Sequence, residues 1–145
     1  MKRVLLLALM VLPLIAMACT DHDEVIINPD KLPDKVQTYI KTHFPSCNIL
    51  QATKERELGG PEYTVWLSEG YKLEFRKTEV TEIKGTNKLP DDVIPTKIRE
   101  HVAANYANLH IVEWKLDDYV TQEVKLNNGL ELVYSAGGDF LRIDD

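Results

Sequence analysis

Histidines, cysteines and paired acids are the residues of this chain whose chemistry could do work. The four histidines are His22, His43, His101 and His110. They stand in no HExxH pattern and at no other zinc spacing, and the chain has no CxxC. His22 falls in a polar stretch near the amino end, and the other three read as surface or helix-end residues. The segment Asp21 to Glu24, DHDE, offers carboxylate and imidazole ligands. A flexible acidic stretch has little means of preorganising them, so it reads as solvation and no metal is expected. The doublets Asp91 with Asp92, Asp117 with Asp118, and Asp144 with Asp145 would suit acid/base work only if burial pushed their pKa values apart. They fall at a helix start, a hairpin tip and the chain end, where acids favour helix dipoles or solvate turns. No GxSxG, Walker or GxGxxG pattern occurs, and Cys47 follows a helix-ending proline without a partner motif. Cys47 therefore reads as a small buried residue. No catalytic residue and no cofactor is expected.

The amino end carries a different signal. Lys2 and Arg3 precede an apolar run from Val4 to Ala18, and Ala16 and Ala18 form an A-x-A pattern directly before Cys19. Residues 1–18 are expected to be a signal peptide, since the run falls short of the roughly 20 apolar residues a membrane span needs. The segment IAMAC resembles a bacterial lipobox, with Ala16 where leucine is usual. Cys19 is thus the expected lipidation site and membrane anchor, with simple secretion as the alternative. Residues 19–31 would then be an acidic tether. Acyl chains hold because each buried methylene contributes about 0.8 kcal/mol. Acylation of Cys19 leaves Cys47 without a disulfide partner; without it, a Cys19–Cys47 bond is open.

Removing Lys2 and Arg3 from 17 basic residues leaves 15 against 23 acidic ones, a formal charge of -8. That balance argues against nucleic acid, whose backbone demands clustered cations. It also argues against recruitment by anionic lipid.

The elements that must position any site come in two similar copies. LPDKVQTYIKTHFPSCNI, starting at Leu32, lies over IPTKIREHVAANYANLHI, starting at Ile94, without a gap. Leu32 pairs with Ile94, Pro33 with Pro95, Val36 with Ile98, Ile40 with Val102, Phe44 with Tyr106, and Ile49 with Ile111. Each copy predicts a helix with proline at its first position and one apolar stripe. Pro45 is expected to stop the first helix and the Ala107, Asn108 stretch the second. Further on, EYTVWLSEGYKLEF matches TQEVKLNNGLELVY. Copy one predicts strands at Asn48–Glu57, Tyr63–Leu67, Lys72–Arg76 and Val80–Ile83; copy two at His110–Leu116, Thr121–Leu126, Glu131–Tyr134 and Phe140–Ile143. Asn128 and Gly129 read as a strong hairpin turn with positive φ at both residues, and Glu69 with Gly70 as a weaker one.

One copy has too little apolar surface to stand alone. The expected fold is therefore α+β: two tandem helix-plus-four-strand repeats, residues 32–85 and 86–145, in one compact domain. They would form one antiparallel sheet of seven or eight strands with both helices on one face. Lys84 to Val93 would link them.

Strand phase then divides the sheet. Val65, Leu67, Leu73 and Phe75 face the helices with Val124, Leu126, Leu132 and Tyr134, and Trp114 is expected in the core. The opposite face carries Thr64, Trp66, Lys72, Glu74 and Arg76, with Glu123, Lys125, Glu131 and Val133 from copy two. Most of that is ordinary solvated sheet. Trp66 stands out, because Lys125 takes its place in copy two and aromatics among charges anchor interfaces. The alternative is a loop or neighbouring side chains covering Trp66.

The recurrence of Leu/Ile-Pro, helix, Tyr/Phe, Ile and then Y-x-V-x-L-x-x-G-x-x-L-x-F, from Leu32 to the end, resembles the PepSY-like domain proteins of bacterial envelopes. The resemblance implies the β-lactamase-inhibitor-like fold and no agreed catalytic residues, with binding or inhibition of peptidases by analogy. The expectation is a non-enzymatic, exported lipoprotein, periplasmic or on the cell surface. It would bind a protein or peptide through its open sheet face at Thr64, Trp66, Lys72, Glu74, Arg76 and Lys125. A monomer is favoured. Two competitors stay open: a small hydrolase, needing His43, His101 or His110 to converge with acids, and an accessory component whose sheet edge pairs with another subunit.

Overall fold

The computed structural model describes residues 24–117 and 120–144. The expected signal peptide, Cys19, His22, Asp118 and Asp145 lie outside the described residues. Helix α1 is Asp34–His43 and helix α2 is Thr96–Asn105. Their buried side chains are Val36 and Ile40 in α1, and Ile98 and Val102 in α2, an i, i+4 stripe in each. Pro33 and Pro95 sit one position earlier than expected, at the N-caps with extended ψ of 144° and 138°. Their carbonyls still accept the first helical bonds, from the Gln37 and Arg99 N–H groups at 3.1 Å. Proline suits this place because it has no N–H to leave orphaned.

Both helices end alike, although only one is followed by proline. Phe44 and Tyr106 leave the helix with φ of -129° and -135°, each donating back to the residue four earlier at 2.8 Å. The next turn is also shared: Cys47 N–H donates to Phe44 O at 3.0 Å and Leu109 N–H to Tyr106 O at 2.9 Å. Phe44 is buried and Tyr106 packs on the core, so the aromatic anchor and the turn stop both helices. Pro45 reinforces the first stop, and the second forms without a proline, with Ala107 after Tyr106.

The strands are β1 Val25–Ile27, β2 Ile49–Glu57, β3 Gly60–Leu67, β4 Tyr71–Arg76, β5 Glu79–Gly85, β6 Ile111–Asp117, β7 Thr121–Leu126, β8 Glu131–Ser135 and β9 Phe140–Asp144. They make one antiparallel sheet in chain order. Nine strands replace the expected seven or eight. The additional one, β1, comes from the stretch assigned to the tether, where three β-branched residues pair with β2 as Val25 to Lys54, Ile26 to Thr53 and Ile27 to Ala52.

Four strands follow each helix, and β5 joins β6 through the pairs Glu82 to Lys115, Ile83 to Trp114 and Lys84 to Glu113. The register sets a continuous inward row: Val65, Leu73, Ile83, Trp114, Val124 and Leu132. These residues share one core with the stripes of both helices. Tyr39 of α1 meets Phe75 edge-on at 5.7 Å, and His101 of α2 meets Tyr134 at 5.5 Å. Leu89, in the expected linker, is buried and donates its N–H to Ile111 O at 2.9 Å. Leu89 thus ties that otherwise largely exposed segment to the core.

The turns differ from expectation in one instructive way. Only Gly129 has positive φ, at 91°, in the Asn128–Gly129 turn. Asn128 instead accepts the Leu130 N–H through its side chain at 3.1 Å. Glu69 and Gly70 are the pair with positive φ at both residues, 64° and 80°.

Candidate functional site: the open sheet face

With both helices packed on one side, the other side of the sheet carries rows of alternating strand residues. In one row Gln51, Trp66, Lys72, Lys84, Glu113, Lys125 and Glu131 stand opposite one another in turn. In the next, Thr53, Thr64, Glu74, Glu82, Lys115, Glu123 and Val133 do the same. Arg76 stands opposite Glu62 in β3. The structure thus brings Thr64, Trp66, Lys72, Glu74 and Arg76 together on two neighbouring strands. Lys125 shares the face but lies four strands from Trp66, roughly 19 Å at the usual strand spacing.

Charges on this face are largely paired along or across strands. Lys72 Nζ meets Glu74 at 2.5 Å, Arg76 Nε donates to Glu62 at 2.8 Å, Lys84 Nζ meets Glu113 at 3.0 Å, and Lys125 Nζ meets Glu131 at 2.5 Å. Such half-exposed pairs hold geometry more than they add stability. Glu82 is the strained member. Partial burial, and then the negative charges of Glu74 and Glu113, raise its carboxyl above the usual range.

The face is less bare than the sequence implies. Val133 lies on it, between Glu123 and Arg142, yet is only 1% exposed. Thr53, opposite Thr64, is likewise buried at 4%. Long charged side chains lay their methylene stems over such positions while their heads reach water. Trp66 is half-buried among them. The other tryptophan, Trp114, is in the core as expected, and its indole N–H donates to Gln122 Oε1 at 2.9 Å.

Gln122 was not legible as a core residue. It is buried, faces the helices opposite Tyr134, and also donates to Ala136 O at 3.0 Å. Its inward strand phase was the available signal.

The described histidines have separate partners. His43 Nδ1 lies 2.6 Å from the Asp92 carboxylate, which requires the proton on that nitrogen. His101 Nδ1 lies 2.9 Å from the Tyr134 hydroxyl, with its ring stacked on Phe140. The His110 backbone N–H donates to Asn127 Oδ1 at 3.0 Å. A converged His-acid constellation, as a hydrolase would need, is not among these contacts. Among the described residues no group of three or more His, Cys, Asp or Glu is placed to hold a metal ion. No helix among them is long and apolar enough to cross a membrane.

Fold and site together define a class: an α+β protein with two helices on one face of a single antiparallel sheet and the other face open. The chain belongs to the family described as "Putative beta-lactamase-inhibitor-like, PepSY-like", whose model matches residues 19–60 and 61–142. Among solved structures, a "putative periplasmic protein" of the DUF2874 family from Bacteroides vulgatus is 33% identical, with TM-score 0.79 over 86% of this chain and 99% of that one. A "putative calcium-regulated periplasmic protein" from Bacteroides thetaiotaomicron is 28% identical, with TM-score 0.79 over 85% of this chain and 98% of its own. A second Bacteroides vulgatus periplasmic protein, described as of unknown function, is 32% identical with TM-score 0.78, covering 84% and 99%. No curated protein matches the chain.

Proposed function

We propose that this protein is a non-enzymatic lipoprotein of the bacterial envelope that binds a protein or peptide through the open face of its sheet, as a peptidase inhibitor would. The observation that carries this reading is Trp66, a half-buried tryptophan on the face without helices, flanked by Gln51 and Lys72 and beside Thr64 and Glu74, with Arg76 further along the same strand as Lys72. A large amphipathic ring in a frame of paired charges is the usual composition of an interface anchor. Export is supported by the periplasmic description of similar proteins and by the Lys2, Arg3 and apolar leader of this chain. Lipid attachment at Cys19 rests on the A-x-A-Cys pattern. The two helix-plus-four-strand units, residues 32–85 and 86–145, are read as tandem copies whose differences, Trp66 against Lys125 above all, mark where binding is specialised.

The test is Trp66→Ala. The variant keeps the thermal transition of a folded domain and loses capture of the envelope partner recovered by crosslinking in intact cells. A variant that no longer folds assigns Trp66 to the core, and one that binds like the wild type removes it from the interface. The anchor is tested by palmitate labelling of wild type and Cys19→Ser; no label on the wild type contradicts it.

A further inference from the structure

Each helix borders a groove where its carboxyl-terminal half meets the start of the next strand, and the two grooves are built from corresponding positions. The first, of about 290 Å³, is lined by Gln37, Ile40, Lys41, Cys47, Asn48 and Ile49. In the second, of about 610 Å³, the same places hold Arg99, Val102, Ala103, Leu109, His110 and Ile111. The second also gains walls from Leu89 and Ile94. Two substitutions of the repeat account for the extra space, since Ala103 and Ala107 stand where Lys41 and Pro45 narrow the first groove. Its volume is within the range of sites for small organic ligands.

The chemistry changes in the same step, as two amides become a guanidinium and an imidazole. Gln37 Nε2 donates to Leu32 O at 2.9 Å, bracing the entry to α1. Arg99 makes the equivalent bond in α2, Nε to Ile94 O at 3.2 Å, and adds Nη2 to Thr96 Oγ1 at 3.2 Å. A glutamine is therefore sufficient for the structural role, and the positive charge is surplus to it. Lys88, also at this groove, is paired with Asp91 at 2.9 Å. Arg99 makes no ion pair among the described residues, although Glu100 is also at the groove's edge. Behind the guanidinium the floor is apolar: Leu89, Ile94, Val102 and Ile111 all belong to the core.

We propose that the groove between α2 and β6 binds a small apolar monocarboxylate, its carboxylate on Arg99 with His110 as a second donor and its apolar part over Val102, Ala103 and Leu109. Guanidinium and carboxylate match geometrically through paired N–H donors, and the nearby apolar walls strengthen that contact by excluding water. The site is on the helix side of the sheet, so it is independent of the binding proposed for the open face.

The experiment is an amide and imidazole NMR titration of the exported protein with sodium octanoate, and in parallel with octylamine and N-acetyl-leucine. Octanoate is expected to give saturable shifts confined to α2, residues 88–94 and the start of β6. Octylamine gives none there. N-acetyl-leucine binding more tightly than octanoate would identify a peptide carboxyl terminus as the source of the ligand, and the reverse order a fatty acid. Arg99→Gln, which restores the copy-one residue and its carbonyl bond, should weaken octanoate at least about tenfold, the value of one lost charge-assisted contact. Ala103→Lys, the other copy-one residue, should close the groove and abolish the shifts. Both positions tolerate these residues in α1, so folding is preserved. Absence of saturable shifts, equal binding of octylamine, or wild-type affinity in Arg99→Gln would overturn the proposal.

Discussion

Replacing Gln122 by methionine removes a buried amide while nearly keeping the side chain's length and volume. In the wild type its Oε1 accepts the Trp114 indole N–H at 2.9 Å and its Nε2 donates to Ala136 O at 3.0 Å. The two losses are unequal. Ala136 is exposed, so its carbonyl turns to water at little cost. Trp114 is only 7% exposed, and its N–H is left without a partner. An orphaned buried donor costs about 1–3 kcal/mol. Against a total stability on the order of 5–15 kcal/mol, that is a measurable fraction. A domain of this size should lose roughly 3–5 °C of Tm per kcal/mol, which places the variant about 3–15 °C lower. Urea denaturation followed by circular dichroism measures the loss directly. The deciding comparison is the cycle with Trp114→Phe, which removes the donor too. In that background Gln122→Met should cost at least about 1 kcal/mol less than in the wild type, because no donor remains to be orphaned. A neutral single variant, or a double variant that merely adds the two single effects, would refute the role assigned to this pair.

Glu82→Gln should raise the Tm at neutral pH. Burial, Glu74 and Glu113 raise the Glu82 carboxyl in the folded state, so the folded protein holds its proton more tightly than the unfolded chain. Stability from this group is therefore present below its unfolded value and lost as pH rises through the folded one. The advantage of glutamine should grow across that window and vanish in acid; thermal melts across pH check it. Two glycines at hairpin turns, Gly70 and Gly129, should respond differently to alanine. Gly129 has φ of 91° with nothing near its missing Cβ, so Gly129→Ala costs only the left-handed backbone term of about 1–2 kcal/mol. Gly70 has φ of 80°, and a Cβ there would lie 2.4 Å from Thr86 Oγ1, so Gly70→Ala should cost more in a denaturant titration. Equal losses would contradict the close approach of Thr86.

The fold is most legible in the sequence where apolar spacing and turn residues agree. The stripes of α1 and α2 were legible because Val36 and Ile40, like Ile98 and Val102, recur one turn apart on helices bounded by proline and an aromatic. Strand phase placed Thr64, Trp66, Lys72, Glu74, Arg76 and Lys125 on one face, and the register agrees. Strand β1 was hidden, since three apolar residues in an acidic stretch become a strand only when β2 offers them an edge. Covered Val133 was hidden for a related reason: phase gives the side of the sheet, while cover depends on the stems of neighbouring strands. The polar Gln122 reads as surface until the Trp114 N–H is seen to need an acceptor. The difference between the two helix grooves was written in Lys41 against Ala103, but its meaning requires knowing that both line the seam between helix and strand.

We propose that the open sheet face around Trp66 is where this protein meets its partner. A photo-crosslinking amino acid introduced at position 66 tests it most directly, with the same residue at Lys35, exposed on α1, as the comparison. Irradiated in intact cells, the position 66 variant should give a discrete adduct of higher mass that the position 35 variant does not. No adduct at 66, or the same adduct from both positions, would contradict a binding surface at Trp66.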